Sequence, residues 1–361
     1  MSLTLTAADV FCVPGPSPAS ATAGDPVGGQ QLAAPGVIVN LGPGTPPPAM
    51  PGASFLLADM DTGQILVARA PHAPHLPAGT MKTLTALTLI PLMDPNTNIM
   101  VKQEDVNVDG THAGILAGTA YSVGKLMQGM LMASGNDAAY ALGRANQSMA
   151  VTLQEMNATA ADLGACDTVA NDPSGLEKTD QRSSAYDLAL IGRAAMRLPD
   201  FRGYVMTKQT SFPGGRVAGG KLEPRFPIAN HNQLLFSYRG AIGIKNGYTS
   251  AAKFTHVEAA TRGDDTYLLT EMASPQGSWQ PAAAMLDWVL AQGPWLTPIG
   301  ALVESGTSAT SKPPAPAPTI ATEGRPRSAS ATSPRESAGP PSLTAWIGVA
   351  GGMSALALAG T

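Results

Sequence analysis

The chain has 361 residues, of which 44% are hydrophobic and only 13% charged, and its formal net charge is −4. That length holds one large domain or two smaller ones with tails, and weak acidity without a basic run excludes an electrostatic binder of nucleic acid. With 32 prolines and 39 glycines, the chain has more turn and linker residues than a compact domain uses, so part of it is expected to lie outside the fold.

In chain order, residues 1–21 carry a mildly apolar stretch, Ser2–Val13, and small residues Ala19 and Ala21 placed as at a signal-peptidase site. Without a basic start they read as a truncated signal peptide. Residues 22–51, rich in Gly, Pro and Ala and containing Pro46–Pro48, read as an extended linker. Order is expected to begin near Ala53. Two apolar runs, Phe55–Met60 and Gln64–Ala68, flank Asp61-Thr62-Gly63, which is a hairpin signal. Leu84, Leu87, Leu89 and Ile90 suit a buried helix over Thr80–Met93. Lys125–Arg144 reads as a helical region interrupted at Ser134-Gly135-Asn136. Ala150–Leu163 and Ser184–Leu198 read as amphipathic helices, each beginning at a cap-capable polar residue.

A second strand-rich part begins near Ala241. Phe254–Ala260 and Thr266–Thr270 flank a turn at Gly263-Asp264-Asp265, whose aspartates read as a solvated hairpin tip, and Pro281–Ala291 closes the region as a helix. The fold class expected is α/β of the α+β type. The early hairpin joins the late strands in one antiparallel sheet flanked by helices, with an all-helical subdomain between, over residues 52–304. Residues 305–342 are Ser/Pro-rich and cannot form a core. Leu343–Thr361 is uncharged and just long enough for a transmembrane anchor.

Two cysteines, Cys12 and Cys166, lack neighbours at metal or redox spacing and read as unpaired. His72-x-x-His75 has no third ligand nearby, so it reads as a surface loop; no metal or cofactor is expected.

Three short motifs carry the chemistry: Gly79-Thr80-Met81-Lys82, Ser134-Gly135-Asn136 and Lys245-Asn246-Gly247, the last followed by Tyr248-Thr249. Each alone reads as a turn. Acyl transfer needs a hydroxyl nucleophile and a base to activate it. A lysine one helical turn away, desolvated and near another cation, can be that base. Ser134 can relay the proton, Asn136 can hold a substrate amide, and Lys245 with Thr249 can take a carboxylate. Gly247 lets substrate approach the strand.

In this order the motifs match penicillin-recognising acyl transferases. Together with Asp59-x-Asp61-Thr-Gly63, Pro77-Ala78, Asn171–Leu176, Ser183–Leu188, Asn230–Leu235 and Gly243–Thr249, they make the chain resemble serine-type D-alanyl-D-alanine carboxypeptidases, the low-molecular-mass penicillin-binding proteins of actinobacterial type. The resemblance covers roughly residues 52–300. It implies an enzyme outside the cytoplasm that removes the terminal D-alanine of peptidoglycan stem peptides through an acyl-enzyme. By resemblance Lys82 is the general base, Ser134 the relay, Asn136 a substrate ligand and Lys245 the carboxylate binder.

The acylated serine maps onto Gly79, which has no side chain to acylate. Thr80 sits about 100° further around the helix and is expected to face the wrong way. Asn246 replaces the family's usual threonine, a mild departure. Two readings follow. One is a carboxypeptidase of impaired activity. The other is a non-catalytic peptidoglycan-binding pseudoenzyme that would hold β-lactams without a covalent bond. A β-lactamase is disfavoured, because no Glu-x-x-Leu-Asn segment is present to position a deacylating water.

Overall fold

The computed structural model describes residues 26–217 and 220–304. The strands and helices in chain order are β1 (Val37–Leu41), β2 (Ser54–Asp59), β3 (Gln64–Arg69), α1 (Met81–Leu89), β4 (Asn98–Met100) and α2 (Gln103–Val106). Next come β5 (Ala120–Ser122), α3 (Val123–Met132), α4 (Asn136–Ala145), α5 (Met149–Asp162), α6 (Ala185–Ala195) and α7 (Pro199–Met206). The chain continues through β6 (Gln209–Phe212), β7 (Phe226–Ala229), α8 (Leu234–Ser237), β8 (Ala241–Thr249), β9 (Lys253–Arg262) and β10 (Asp265–Ser274). It closes with α9 (Gln280–Gln292), β11 (Leu296–Thr297) and β12 (Gly300–Ala301).

One antiparallel sheet runs in the order β11-β1-β3-β2-β10-β9-β8, with β12 paired to β3. The early hairpin therefore joins the late strands through β2–β10, as the sequence pattern implied. The sheet is buried on both faces. Leu56, Ala58, Ile65 and Ala68 pack with α1 and α6, whereas Phe55, Leu57, Val67 and Leu269 pack with Met285, Leu286 and Val289 of α9. Two-sided burial explains why these strands read as continuous apolar runs rather than alternating ones. The β2–β3 turn is set by the Asp59 carboxylate, which accepts from Asp61 N at 2.9 Å and Thr62 N at 2.8 Å, and by Gly63 at φ 76°. Serines 122, 148 and 184 cap α3, α5 and α6 by accepting from Lys125 N, Val151 N and Asp187 N.

Three expectations are corrected. The segment 22–51 is not wholly a linker, because Val37, Ile38 and Val39 pair with Arg69, Ala68 and Val67. Its Val-Ile-Val run is short, and the surrounding Gly and Pro mask it, but Ile38 is buried in the core and the strand covers the edge of β3. Cys166 is disulfide-bonded, not an unpaired thiol; pairing follows proximity in space, which spacing along the chain does not reveal. The chain's other cysteine, Cys12, lies outside the described residues. The middle subdomain is not all helical, since β4 and β5 form a two-stranded ribbon within it.

His72 and His75 are half-buried rather than on an open loop. His72 bonds Asp167 at 2.8 Å through Nδ1, and His75 bridges Ser183. No group of His, Cys, Asp or Glu among the described residues is arranged to hold a metal. No described helix is long and apolar enough to cross a membrane. The leader at 1–21, the linker at 305–342 and the anchor at 343–361 lie outside the described residues.

Candidate active site

A 3-10 turn at Ala78–Thr80 leads into α1 and sits against β8 and β9. Backbone packs directly on backbone here. A Cβ on Gly175 would lie 1.7 Å from Ala78 O, and one on Gly247 would lie 2.3 Å from Gly79 N, so both positions require glycine. Gly79 is different. Its φ is outside the left-handed region, and a Cβ there would meet Ser134 Oγ at 3.1 Å, Asn246 O at 3.2 Å and Gly247 Cα at 3.3 Å. A side chain fits at position 79 if its neighbours yield by a few tenths of an ångström.

Thr80 presents no free hydroxyl at this turn. Its side chain is fully buried and donates to Pro77 O at 2.6 Å. Thr255 of β9 donates to the same carbonyl at 2.8 Å and so ties the turn to the sheet.

Lys82 is the first buried lysine of the site, 1% exposed. Its Nζ donates to Asn136 Oδ1 at 2.7 Å and to Ser174 O at 2.6 Å. Burial pushes its pKa well below the ordinary lysine value and the Lys245 charge adds to this, while Asp172 and Asp137 pull the other way. The Asn136 amide is oriented by a second bond, in which its Nδ2 donates to Asp109 O at 2.7 Å. Ser134 is held between α3 and α4 at φ 57°, a left-handed conformation uncommon for serine. The adjacent Asp137 carboxylate fixes this corner by accepting from the backbone N–H groups of Ala113, Gly114 and Ile115.

Lys245 is the second buried lysine, also 1% exposed, with Nζ donating to Asn246 O at 2.6 Å. Burial lowers its pKa to about 7 against the opposing pull of Glu258. His231 lies in the field of both lysines; burial and then their charges lower its pKa. Thr249 ends β8, and its hydroxyl accepts from Ala252 N at 3.0 Å, so it shapes the β8–β9 turn.

The structure thus brings Gly79, Lys82, Ser134, Asn136, Lys245 and Gly247 to one seam between the sheet edge and the helical subdomain. Thr249 stands further along the same strand. Two residues that motif reading left without a role complete the seam. Asp172 accepts from Ser174 N at 2.7 Å, Ser174 Oγ at 2.5 Å, Gly175 N at 3.0 Å and Leu176 N at 3.3 Å, and so presents Ser174 O to Lys82. The available signal was Asp172-Pro-Ser-Gly175, a turn built on an Asx side chain. Glu258 lies in an apolar strand and gave no signal beyond being charged there.

A sheet edge of this kind, facing a helical subdomain with a helix-start lysine and a strand lysine between them, defines the class of penicillin-recognising acyl transferases. Residues 44–273 match the D-alanyl-D-alanine carboxypeptidase family, and the chain belongs to that family. It is 37% identical over 256 residues to the D-alanyl-D-alanine carboxypeptidase DacB2 of Mycobacterium tuberculosis, covering 69% of this chain and 86% of the relative. It is 31% identical over 227 residues to the D-alanyl-D-alanine carboxypeptidase of Streptomyces sp. strain K15, covering 59% and 77%. Among solved structures, a D-alanyl-D-alanine carboxypeptidase from M. tuberculosis superposes with a TM-score of 0.68 at 35% identity, over 73% of this chain and all of that one. The Streptomyces K15 DD-transpeptidase gives 0.64 at 27% identity, over 68% and 100%.

Proposed function

We propose that this chain is a peptidoglycan D-Ala-D-Ala carboxypeptidase in which recognition of the stem-peptide end is retained and acyl-enzyme formation is switched off at position 79. The observation that carries this reading is position 79 itself, where a Cβ would point at Ser134 Oγ, 3.1 Å away, with both buried lysines still present in the seam.

With a hydroxyl at 79, the neutral Lys82 amine would take its proton as the oxygen attacks the penultimate D-alanine carbonyl. Ser134 would pass that proton to the departing D-alanine amine. Lys245 in its ammonium form holds the terminal carboxylate, Gly247 lets the peptide lie along β8, and Thr249 borders the carboxylate subsite. Asn136 positions Lys82 through the 2.7 Å bond, and its amide, one N–H of which goes to Asp109 O, has a second N–H with which to hold the substrate amide. Without the hydroxyl no ester forms, and the loss is on the order of 10⁶ in turnover by analogy with other serine nucleophiles. β-Lactams would bind here without a covalent bond.

The disulfide-bonded Cys166 supports action outside the reducing cytoplasm. A second reading, a pure stem-peptide binding protein, is favoured by the closed Lys82–Asn136–Ser174 network, which stays organised without a nucleophile. Release of D-alanine from a D-Ala-D-Ala peptide tests the choice. The unmodified chain is expected to release it at background rate and the Gly79→Ser variant at an enzymic rate. Equal activity of the two would overturn the assignment of position 79.

A further inference from the structure

Next to Lys245, across the β8–β9 ladder, lies a buried carboxylate that the acylation chemistry does not use. Glu258 is 3% exposed and pairs with Ile244, the residue before Lys245. Its Oε2 accepts from Asn232 Nδ2 at 2.6 Å, and its Oε1 lies 3.7 Å from His256 Nδ1. An ionisable group in a strand whose neighbours include Val257 and Ala259 carries a desolvation cost that must be offset by partners.

Asn232 belongs to a loop with little freedom. Its backbone N–H donates to Asn230 Oδ1 at 3.0 Å, and Asn230 Nδ2 donates to Val205 O at 3.0 Å. Between them His231 N donates to Met132 O at 2.9 Å. Met132 ends α3, two residues before Ser134. A short bonded path therefore runs from Glu258 through Asn232 and His231 to the corner that carries Ser134.

We propose that Glu258 is a positioning residue for this site: its carboxylate anchors the 230–233 loop beneath Ser134 and supplies the counter-charge that keeps Lys245 cationic for a substrate carboxylate. The carboxylate-binding half of this rests on the function proposed above. The other ionisable groups around Glu258 are His256 on its own strand, Lys245 on β8, Glu271 on β10 (the register partner of His256) and His231 in the loop. One step further out, Lys82 on α1 acts on Lys245 and Arg69 acts on Glu271. Of these, Glu258 is the group that opposes the effect of burial on Lys245.

The test follows Lys245 directly. The full chain, labelled with 13C-lysine, is titrated by NMR from pH 5 to 11, with the Lys245 signal assigned by its loss in Lys245→Met. In Glu258→Gln the Lys245 midpoint is expected to fall by about one unit; an unchanged midpoint overturns the proposal. This reading needs no peptide, so it stands apart from a failure of stem-peptide recognition, which would appear as no binding by the unmodified chain. Where that chain binds a diacetyl-Lys-D-Ala-D-Ala peptide, Glu258→Gln is expected to weaken binding about fivefold at pH 7 and much less at pH 5.5. Equal weakening at both pH values contradicts the charge role. Should Glu258→Gln not fold, Glu258→Asp withdraws the same charge by one methylene. The Lys245 midpoint must then fall by a smaller amount, and no change again overturns the proposal.

Discussion

The Ser134 hydroxyl stands 3.1 Å from the point where a Cβ on Gly79 would lie. Ser134 at φ 57° and Ala78 at φ 48° are both non-glycine residues in left-handed backbone, and they border that point. Such conformations cost on the order of 1–2 kcal/mol each and persist where the surroundings enforce them. Here the enforcing contacts are the Gly175–Ala78 and Gly247–Gly79 backbone approaches and the Asp137 carboxylate. The strained geometry is held around a position that has no nucleophile.

In a Gly79→Ser background, Lys82→Met is expected to lower the rate of acylation by a β-lactam by about 10²–10⁴. Lys82 Nζ is the amine held here, by Asn136 Oδ1 and Ser174 O. Stopped-flow acylation of the two variants checks this. Similar rates in both would remove Lys82 from the role of base.

Affinity of the unmodified chain for a D-Ala-D-Ala peptide is expected to depend on pH through Lys245. A carboxylate ligand favours the ammonium form, and burial brings that group's pKa to about 7. Affinity should thus be level below that value and fall about tenfold per unit above it. Calorimetric titrations between pH 6 and 9 read the slope, and a flat profile to pH 9 contradicts it.

Asp187 makes a stability prediction away from the site. It is buried beside Asp167 and hydrogen-bonded to Thr168 Oγ1 at 2.7 Å; burial, then Asp167, raises its pKa from 3.8 to about 7. A folded pKa above the unfolded one means that the folded state holds the extra proton. The contribution is full below about pH 4 and is lost as pH rises through about 7. Asp187→Asn should accordingly gain stability relative to the parent on going from pH 4 to 8, on the order of a few kcal/mol. Urea melts of both chains at the two pH values decide it; a constant difference would count against the assignment.

Asp172→Ala is expected to cost about 2–4 kcal/mol, because it leaves the N–H groups of Ser174, Gly175 and Leu176 and the Tyr140 hydroxyl without their acceptor. The Ser174 carbonyl would also lose its fixed position against Lys82. Chemical denaturation reads the first effect. A loss under about 0.5 kcal/mol, as at an ordinary surface site, would mean that the loop is held by something else.

Much of this was legible in the chain. The Phe55–Met60 and Gln64–Ala68 runs and the β9–β10 pair declared themselves because strands buried on both faces must be apolar throughout. Gly79, Lys82, Ser134 and Lys245 were found by order and spacing, and they do converge. Val37–Leu41 was obscured because a five-residue strand set among Gly and Pro carries little periodicity. The Cys166 disulfide depends on distance in space. Asp172 accepts from partners 2–4 residues away, which its Asx turn could have signalled, and from Tyr140, 32 residues away; Glu258 accepts from Asn232, 26 residues away, and no local pattern announces those distant bonds. Asn136 as a substrate ligand follows from its type and place in the chain; the structure adds its bonds to Lys82 Nζ and Asp109 O, which no local pattern announces.

The most direct test is the intact mass of the chain after incubation with a penicillin, with and without Gly79→Ser. The unmodified chain is predicted to show no adduct, and the Gly79→Ser variant a single acyl adduct on the peptide containing residue 79. An adduct on the unmodified chain, or none on a folded Gly79→Ser variant, would contradict the claim that position 79 is the silenced acylation site.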